Sequence, residues 1–199
     1  MIAEMRTNRI EALCDGVFAI AMTLLIVGFN DLIKWPSYIT EAQLEKAIMD
    51  VLPDLAYYVQ GFIILGAFWI EHHNQFHYIK HVNLTLIAIN ILALMFVALI
   101  PFSTLIVGDY GHIRIAAILF EINLLCAGTL FYIHWAYAVR QPGMVSHDCN
   151  KKVIEFYRRK NLVIPIISVI AIGISLISSS VGSSMYFAIP VIIFLQKPK

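Results

Sequence analysis

Arg9-Ile10-Glu11-Ala12-Leu13-Cys14-Asp15-Gly16-Val17-Phe18-Ala19-Ile20-Ala21-Met22-Thr23-Leu24-Leu25-Ile26-Val27 is an apolar helical stretch on a charged foot, and its reading decides the fold. Only 15 uncharged residues separate Asp15 from Asp31, fewer than the ~20 that a bilayer-spanning helix needs. Either this stretch is not a span or the span includes Asp15. A carboxylate at or just inside a membrane boundary is costly, so it should be paired, and it is a functional-site candidate by default.

At 100° per residue the stretch sorts into three faces. Ala12, Gly16, Ala19 and Thr23 form a stripe of small residues, the pattern that lets helix backbones approach closely in lipid. Leu13, Val17, Ile20, Leu24 and Val27 form a smooth aliphatic stripe beside it. Opposite lie Asp15, Phe18, Met22, Leu25 and Phe29, suited to burial against other helices of the same subunit.

Composition sets the class independently. With 60% hydrophobic and 14% charged residues and a mean hydropathy of +0.78, the chain is too apolar for a soluble domain and reads as a polytopic membrane protein. Its 199 residues have room for one bundle. The expected fold is all-α, a single six-helix transmembrane domain with helices at about 9–30, 52–79, 83–107, 112–139, 161–178 and 183–196.

Several local signals place those helices. Residues 31–54 carry five acids against Lys34 and Lys46, with Trp35, Pro36 and Tyr38 where an interfacial belt would sit. Thr40 to Asp50 reads as a short amphipathic surface helix, and Pro53 fits the first turn of helix 2. Helix 3 is expected to kink at Pro101. Glu121 and Asn123 lie within helix 4 and should face protein. The run Ser178 to Ser184 divides the final apolar stretch in two.

Six spans put both termini on one side. Eleven basic residues fall on that side against Lys34, Lys46 and Arg114 opposite, so the positive-inside rule makes the termini cytoplasmic, or cytosolic if the membrane is that of an organelle. A cleaved signal peptide is not expected, because Glu11 and Asp15 interrupt the would-be apolar region. The three cysteines form no pair at a metal-ligand or disulfide-framework spacing. No Walker loop, nucleophile elbow or zinc-protease motif is present, so an enzyme is not expected. His73, His77 and His81 stand at i, i+4 and i+8, where a helix would put them on one zinc-competent face. The alternative is that they end helix 2 at the interface, some of them bonded to helix 1. No metal, cofactor or nucleic-acid partner is expected.

Arg9, three intervening residues, Leu13, Cys14 and Asp15 resemble the Arg-x-x-x-Phe-Ser-Asp signature that opens the first helix of the transmembrane protein 175 family, the lysosomal potassium channels and their prokaryotic relatives. The continuation Gly16-Val17-Phe18-Ala19-Ile20-Ala21-Met22-Thr23-Leu24-Leu25 is similar to that helix as well. Leu13 for Phe and Cys14 for Ser depart from the pattern. The resemblance implies a homotetramer around a central pore lined by helix 1, conducting potassium as a leak pathway across the bilayer of a cell membrane. It also implies that Ile20, five residues after the signature Asp, forms the constriction; at i+4 and i+7 from it on a pore helix, Leu24 and Val27 would stack as further aliphatic rings, with Thr23 toward their edge, offering its hydroxyl to an ion or, as expected, bonding its own helix backbone.

The same resemblance places Arg9 and Asp15 in a polar network that ties the pore helix to helices 2 and 3. Matching depths make His72, His73, Asn83 and Asn90 candidate partners of Asp15, with Trp69 of helix 2 counted in the same network and Arg9, of the same or a neighbouring subunit, as counter-ion to Asp15. The alternative function is an ion- or proton-coupled secondary transporter that uses Asp15, Glu121 and the helix 2 histidines. The Thr-Val-Gly-Tyr-Gly filter of ordinary potassium channels is absent, so any potassium preference needs another device.

Overall fold

The computed structural model describes residues 7–32, 38–189 and Ile192, with the backbone alone for 28–32. Its helices are α1 (Thr7–Leu32), α2 (Glu41–Tyr78), α3 (Leu84–Tyr110), α4 (Arg114–Ala138), α5 (Lys151–Lys160), α6 (Val163–Ser175) and α7 (Ser179–Ser184), the last followed by a 3-10 turn over Met185–Ala188. Among the described residues no strand forms, and α1 to α4 are the four helices long and apolar enough to cross a membrane. With α6 and the α7 turn they make an all-α, six-segment membrane bundle.

Two boundaries differ from the sequence reading. α2 begins at Glu41, so the amphipathic segment and helix 2 are one helix of 38 residues. Its start is fixed by a capping box: Thr40 Oγ1 accepts from Gln43 N–H at 3.4 Å, and Gln43 Oε1 accepts from Thr40 N–H at 3.0 Å. Pro53 lies inside this helix, at an exposed position where water can satisfy the carbonyl its missing N–H leaves free. At 1.5 Å per residue α2 is about 57 Å long, nearly twice the ~30 Å hydrocarbon core. Its first turns therefore stand outside the bilayer.

The second difference is the serine run. Ser179–Ser184 is helical, and the break falls just before it, between Ser175 and Ser179. The serines tolerate a helix because their hydroxyls bond back into it, Ser183 to Ser179 O and Ser184 to Ser180 O. Gly182 passes so close to Ala171 O and Glu121 that a Cβ there would collide with both. The expected helix 183–196 appears as the end of α7 and its 3-10 turn up to Ala188. Pro190 and residues 193–199, like Lys34, Trp35 and Pro36, lie outside the described residues.

One apolar core runs through the bundle, with Cys14, Phe18 and Leu25 of α1 against Ile64, Leu65 and Phe68 of α2, Val97 and Ile100 of α3, and Phe120 and Leu124 of α4. Glu121 and Asn123 are buried in the same interior. A smaller cluster at the far end joins Ile79, Leu86, Trp135 and Met144. There the α2–α3 connection pairs with the loop after α4, Lys80 N–H donating to Met144 O at 2.9 Å and Ser146 N–H to Tyr78 O at 2.8 Å. Gly143, at φ +75°, supplies the left-handed residue that this loop turns on. α5 is capped by Asn150, which accepts from Val153 N–H at 3.1 Å, and is seated by Trp135 Nε1 donating to Ile154 O at 3.3 Å.

Candidate functional site

α1 has one locked side and one open side. Ile10, Cys14, Phe18, Ala21 and Leu25 are buried, and the midpoint of that arc on the helical wheel falls at Cys14. On the other side Ile20 is 61% exposed, Val27 55% and Leu24 46%. Ala12, Gly16, Ala19 and Thr23 are exposed with them, whereas Val17 is half-buried. From Ile20 to Val27 the open stripe climbs about 10 Å. Thr23 Oγ1 donates to Ile20 O at 2.8 Å, so its proton is spent within its own helix.

Asp15 is exposed within the subunit, not buried beside Phe18 and Leu25. The reason is angular: Asp15 stands 100° round the helix from Cys14, at the rim of the buried arc. Its Oδ1 accepts from Trp69 Nε1 on α2 at 2.8 Å. His73 stacks on that indole, ring centroids 5.9 Å apart. Arg9 is exposed and forms no ion pair among the described residues. Six residues put it about 9 Å below Asp15 and 120° away round the helix, out of reach of that carboxylate.

Cys14, not Asp15, meets helix 3. Asn90 Nδ2 donates to Cys14 Sγ at 3.2 Å, and Asn90 Oδ1 lies 3.1 Å from His72 Nε2. Because the amide nitrogen is spent on sulfur, the amide oxygen is the acceptor and His72 carries its proton on Nε2. All three residues are buried. The predicted network is thus two sets on adjacent faces: Asp15–Trp69–His73 at the rim and Cys14–Asn90–His72 inside. Asn83 stays out of both, capping α3 through Leu86 N–H and donating to Tyr137 OH at 2.9 Å.

Three further buried polar residues were not singled out from the sequence for this layer. Gln75 Nε2 donates to Phe131 O at 3.5 Å, so Gln75 Oε1 accepts from His134 Nδ1 at 2.8 Å. Glu71 on α2 forms an ion pair with Lys160 at the end of α5. Glu71, His72 and Gln75 continue the buried stripe of Ile64, Leu65 and Phe68 at helical spacing, and that periodicity is the signal that would have found them. Lys160 carries no comparable local signal.

The histidines do not converge. α2 ends at Tyr78, so His81 is off the helix that would have aligned it with His73 and His77. Among the described residues no group of three His, Cys, Asp or Glu side chains is placed to hold a metal ion.

A bundle of long apolar helices, with buried polar residues bonded between helices and one helix left open along an aliphatic stripe, belongs to the class of polytopic membrane proteins. Residues 9–101 match the family described as the endosomal/lysosomal potassium channel TMEM175. A potassium channel of Streptomyces collinus is 33% identical over 138 residues, covering 67% of this chain and 65% of that one. A potassium channel of Chamaesiphon minutus is 26% identical over 193 residues, covering 94% and 93%. The Gallus gallus protein, named an endosomal/lysosomal proton channel, is 29% identical over 139 residues, but the chain spans only 27% of its length. The fold matches the crystal structure of a lysosomal potassium-selective channel TMEM175 homolog from Chamaesiphon minutus, with a TM-score of 0.81 and 25% identity over 96% of this chain and 97% of that one. Over residues 9–101 in sequence, and along nearly its whole length in fold, the chain is similar to the TMEM175 family.

Proposed function

We propose that this chain is a potassium-preferring cation channel of leak type in a cell membrane. Four copies surround an axis with both termini cytoplasmic, and α1 of each lines the pore. The observation that carries the reading is the division of α1. One face is held by Cys14–Asn90 and Asp15–Trp69, while Ile20, Leu24 and Val27 are left uncovered by the subunit's own helices.

Placed around an axis, those three residues stack as aliphatic rings. None offers an oxygen to replace an ion's hydration shell, and a narrow apolar ring empties of water, so conduction is limited by dewetting at the tightest ring. Ile20 is assigned that ring and Thr23 the adjoining polar edge. Preference for potassium then follows from hydration, since the smaller sodium ion holds its water more tightly and is harder to strip. The transporter alternative needs Asp15, Glu121 and the histidines to act together. Instead Glu121 accepts from Ser175 on α6, His72 pairs with Asn90 on α3, and Asp15 pairs with Trp69.

Single-channel currents in planar bilayers with mixed potassium and sodium test the reading. Ile20→Asn keeps the ring wet, raising conductance and lowering potassium-over-sodium discrimination. Phe18→Asn, on the buried face, mainly lowers the yield of folded protein. An Ile20→Asn channel that assembles and conducts like the parent removes Ile20 as the constriction.

A further inference from the structure

α5 carries five basic residues and one acid in ten positions. Two of the five are already neutralised, Lys160 by Glu71 and Arg159 by Glu155. Lys151, Lys152 and Arg158 are exposed, and none of them meets a carboxylate among the described residues. On the helical wheel Lys151 and Arg158 lie within about 20° of one another, whereas Lys152 stands about 120° round from Arg158. α5 leads into α6 through Asn161 and Leu162, both in the right-handed helical region. Arg158 therefore stands above Leu162 and Val169, at i+4 and i+11, on one stripe. Val169 is exposed, as are Ile166 and Ile170 beside it, an apolar surface suited to acyl chains. Arg158 thus marks the level where hydrocarbon gives way to headgroups.

There the guanidinium is already set in place. Arg158 Nε donates to Tyr132 OH on α4 at 3.3 Å. The bond leaves both terminal amino groups of Arg158 without a partner among the described residues, and it leaves the phenol proton of Tyr132 free to donate. By covalent geometry these donors lie within a few ångströms of one another, the span of one phosphate group. A guanidinium fork is the side chain best matched to phosphate oxygens.

We propose that Arg158 and Tyr132 bind the phosphate of an anionic phospholipid, with an acyl chain lying along Leu162 and Val169. The apolar stripe directly beneath the donors favours a lipid over a soluble phosphate. Lys151, about 10 Å farther along α5, favours an anionic headgroup, because it repels the ammonium that a zwitterionic headgroup carries beyond its phosphate. Under the topology proposed above, the site lies in the cytoplasmic leaflet. An occupied site steadies α5 against α4. Since Lys160 at the end of α5 holds Glu71, the neighbour of His72, it also steadies the inner polar set. An effect on conduction rests on the channel reading; the binding requires only that α4 and α6 lie in a bilayer.

The test is titration of the detergent-solubilised full chain with dioleoylphosphatidylglycerol or with dioleoylphosphatidylcholine. Native mass spectrometry counts the bound lipids, and thermal denaturation reads the Tm. The parent binds phosphatidylglycerol about tenfold more tightly than phosphatidylcholine and gains Tm with the former, the fold-change of one charge-assisted contact. Arg158→Gln abolishes the preference. Tyr132→Phe, which keeps the ring and removes the hydroxyl, weakens phosphatidylglycerol binding about threefold. A single lipid in a micelle presents no charged surface, so Lys152→Gln, the same loss of charge on another side of α5, changes binding by less than about twofold. Inorganic phosphate in large excess leaves the lipid bound. Equal binding of the two lipids by the parent, or equal losses in Arg158→Gln and Lys152→Gln, overturns the assignment. Displacement by inorganic phosphate overturns it too, in favour of a soluble anion. Lipid preference in a protein that passes no current leaves the site standing and sinks the channel reading instead.

Discussion

Breaking the Glu71–Lys160 pair gives a quantitative test of how α2 is held. The two side chains are 6% and 10% exposed, so neither charge has much water to fall back on. Removing one partner of a buried pair costs about 3–5 kcal/mol, because the other charge is left uncompensated, whereas replacing both with apolar or neutral groups of similar volume is close to neutral. The two single variants should differ. In Glu71→Gln the freed ammonium is on a flexible stem at the end of α5 and can reach outward to water, which brings the cost below that range, to about 2–3 kcal/mol. In Lys160→Met the carboxylate is fixed in the interior of α2 and cannot escape, which puts it at about 4–5 kcal/mol. At about 2–4 °C per kcal/mol for a chain of this size, Lys160→Met lowers Tm by roughly 8–20 °C and Glu71→Gln by about half of that.

The assay is thermal denaturation of the purified variants in one detergent, read as a double-mutant cycle. Glu71→Gln with Lys160→Met returns to within a few degrees of the parent. Equal melting of Lys160→Met and the parent would show that the pair is solvated and that the reasoning fails. Glu71 directly precedes His72, whose ring holds Asn90 and through it Cys14 of α1. A loosened α2 at this turn therefore reaches the candidate pore helix through two hydrogen bonds.

Two further substitutions probe that path. Cys14→Ser puts a stronger acceptor under Asn90 Nδ2 and raises stability by about 0.5–1.5 kcal/mol, while Cys14→Val of similar size leaves the amide N–H unpaired and costs about 1–3 kcal/mol; the same denaturation assay checks both. Asp15→Ala leaves Trp69 Nε1 without its acceptor and lowers the recovery of assembled protein on size exclusion before it alters selectivity. Well-assembled Asp15→Ala protein with changed selectivity would mean that the carboxylate acts on ions directly.

Much of this architecture is legible without coordinates. Hydrophobic period and length locate α1, α3 and α4 because burial in lipid and in the bundle both demand apolar runs, and these set the pattern. The start of α2 differs because Thr40 to Asp50 reads as a separate amphipathic segment ahead of Pro53, whereas Thr40-x-x-Gln43 is itself the capping signature of one continuous helix. A helical wheel ranks faces but does not centre them on a partner. It set Asp15 beside Phe18, although the buried arc is centred on Cys14. The departure of Cys14 from the family's Ser falls at that centre, where a thiol still accepts a bond from Asn90. The Glu71–Lys160 pair joins residues far apart in sequence, and no local pattern brings a lysine at the end of α5 to a particular turn of α2.

What faces the open side of α1 can be argued from the residues on it that suit lipid least. Ile20, Leu24 and Val27 would sit as comfortably against acyl chains as on a pore axis, so their exposure alone does not choose between them. Arg9 does. On the helical wheel it stands within about 60° of Ile20, Leu24 and Val27 and so lies at the foot of their stripe, whereas Asp15 lies about 120–180° round from them. Arg9 is exposed and forms no ion pair among the described residues. A guanidinium held against hydrocarbon is costly, and facing water or a neighbouring copy it keeps its hydration or gains a partner, for which the Asp15 carboxylate of that copy has the complementary charge. Because α1 runs unbroken from Thr7 to Leu32, a space that relieves Arg9 also favours setting the aliphatic stripe above it against water or another subunit rather than against acyl chains.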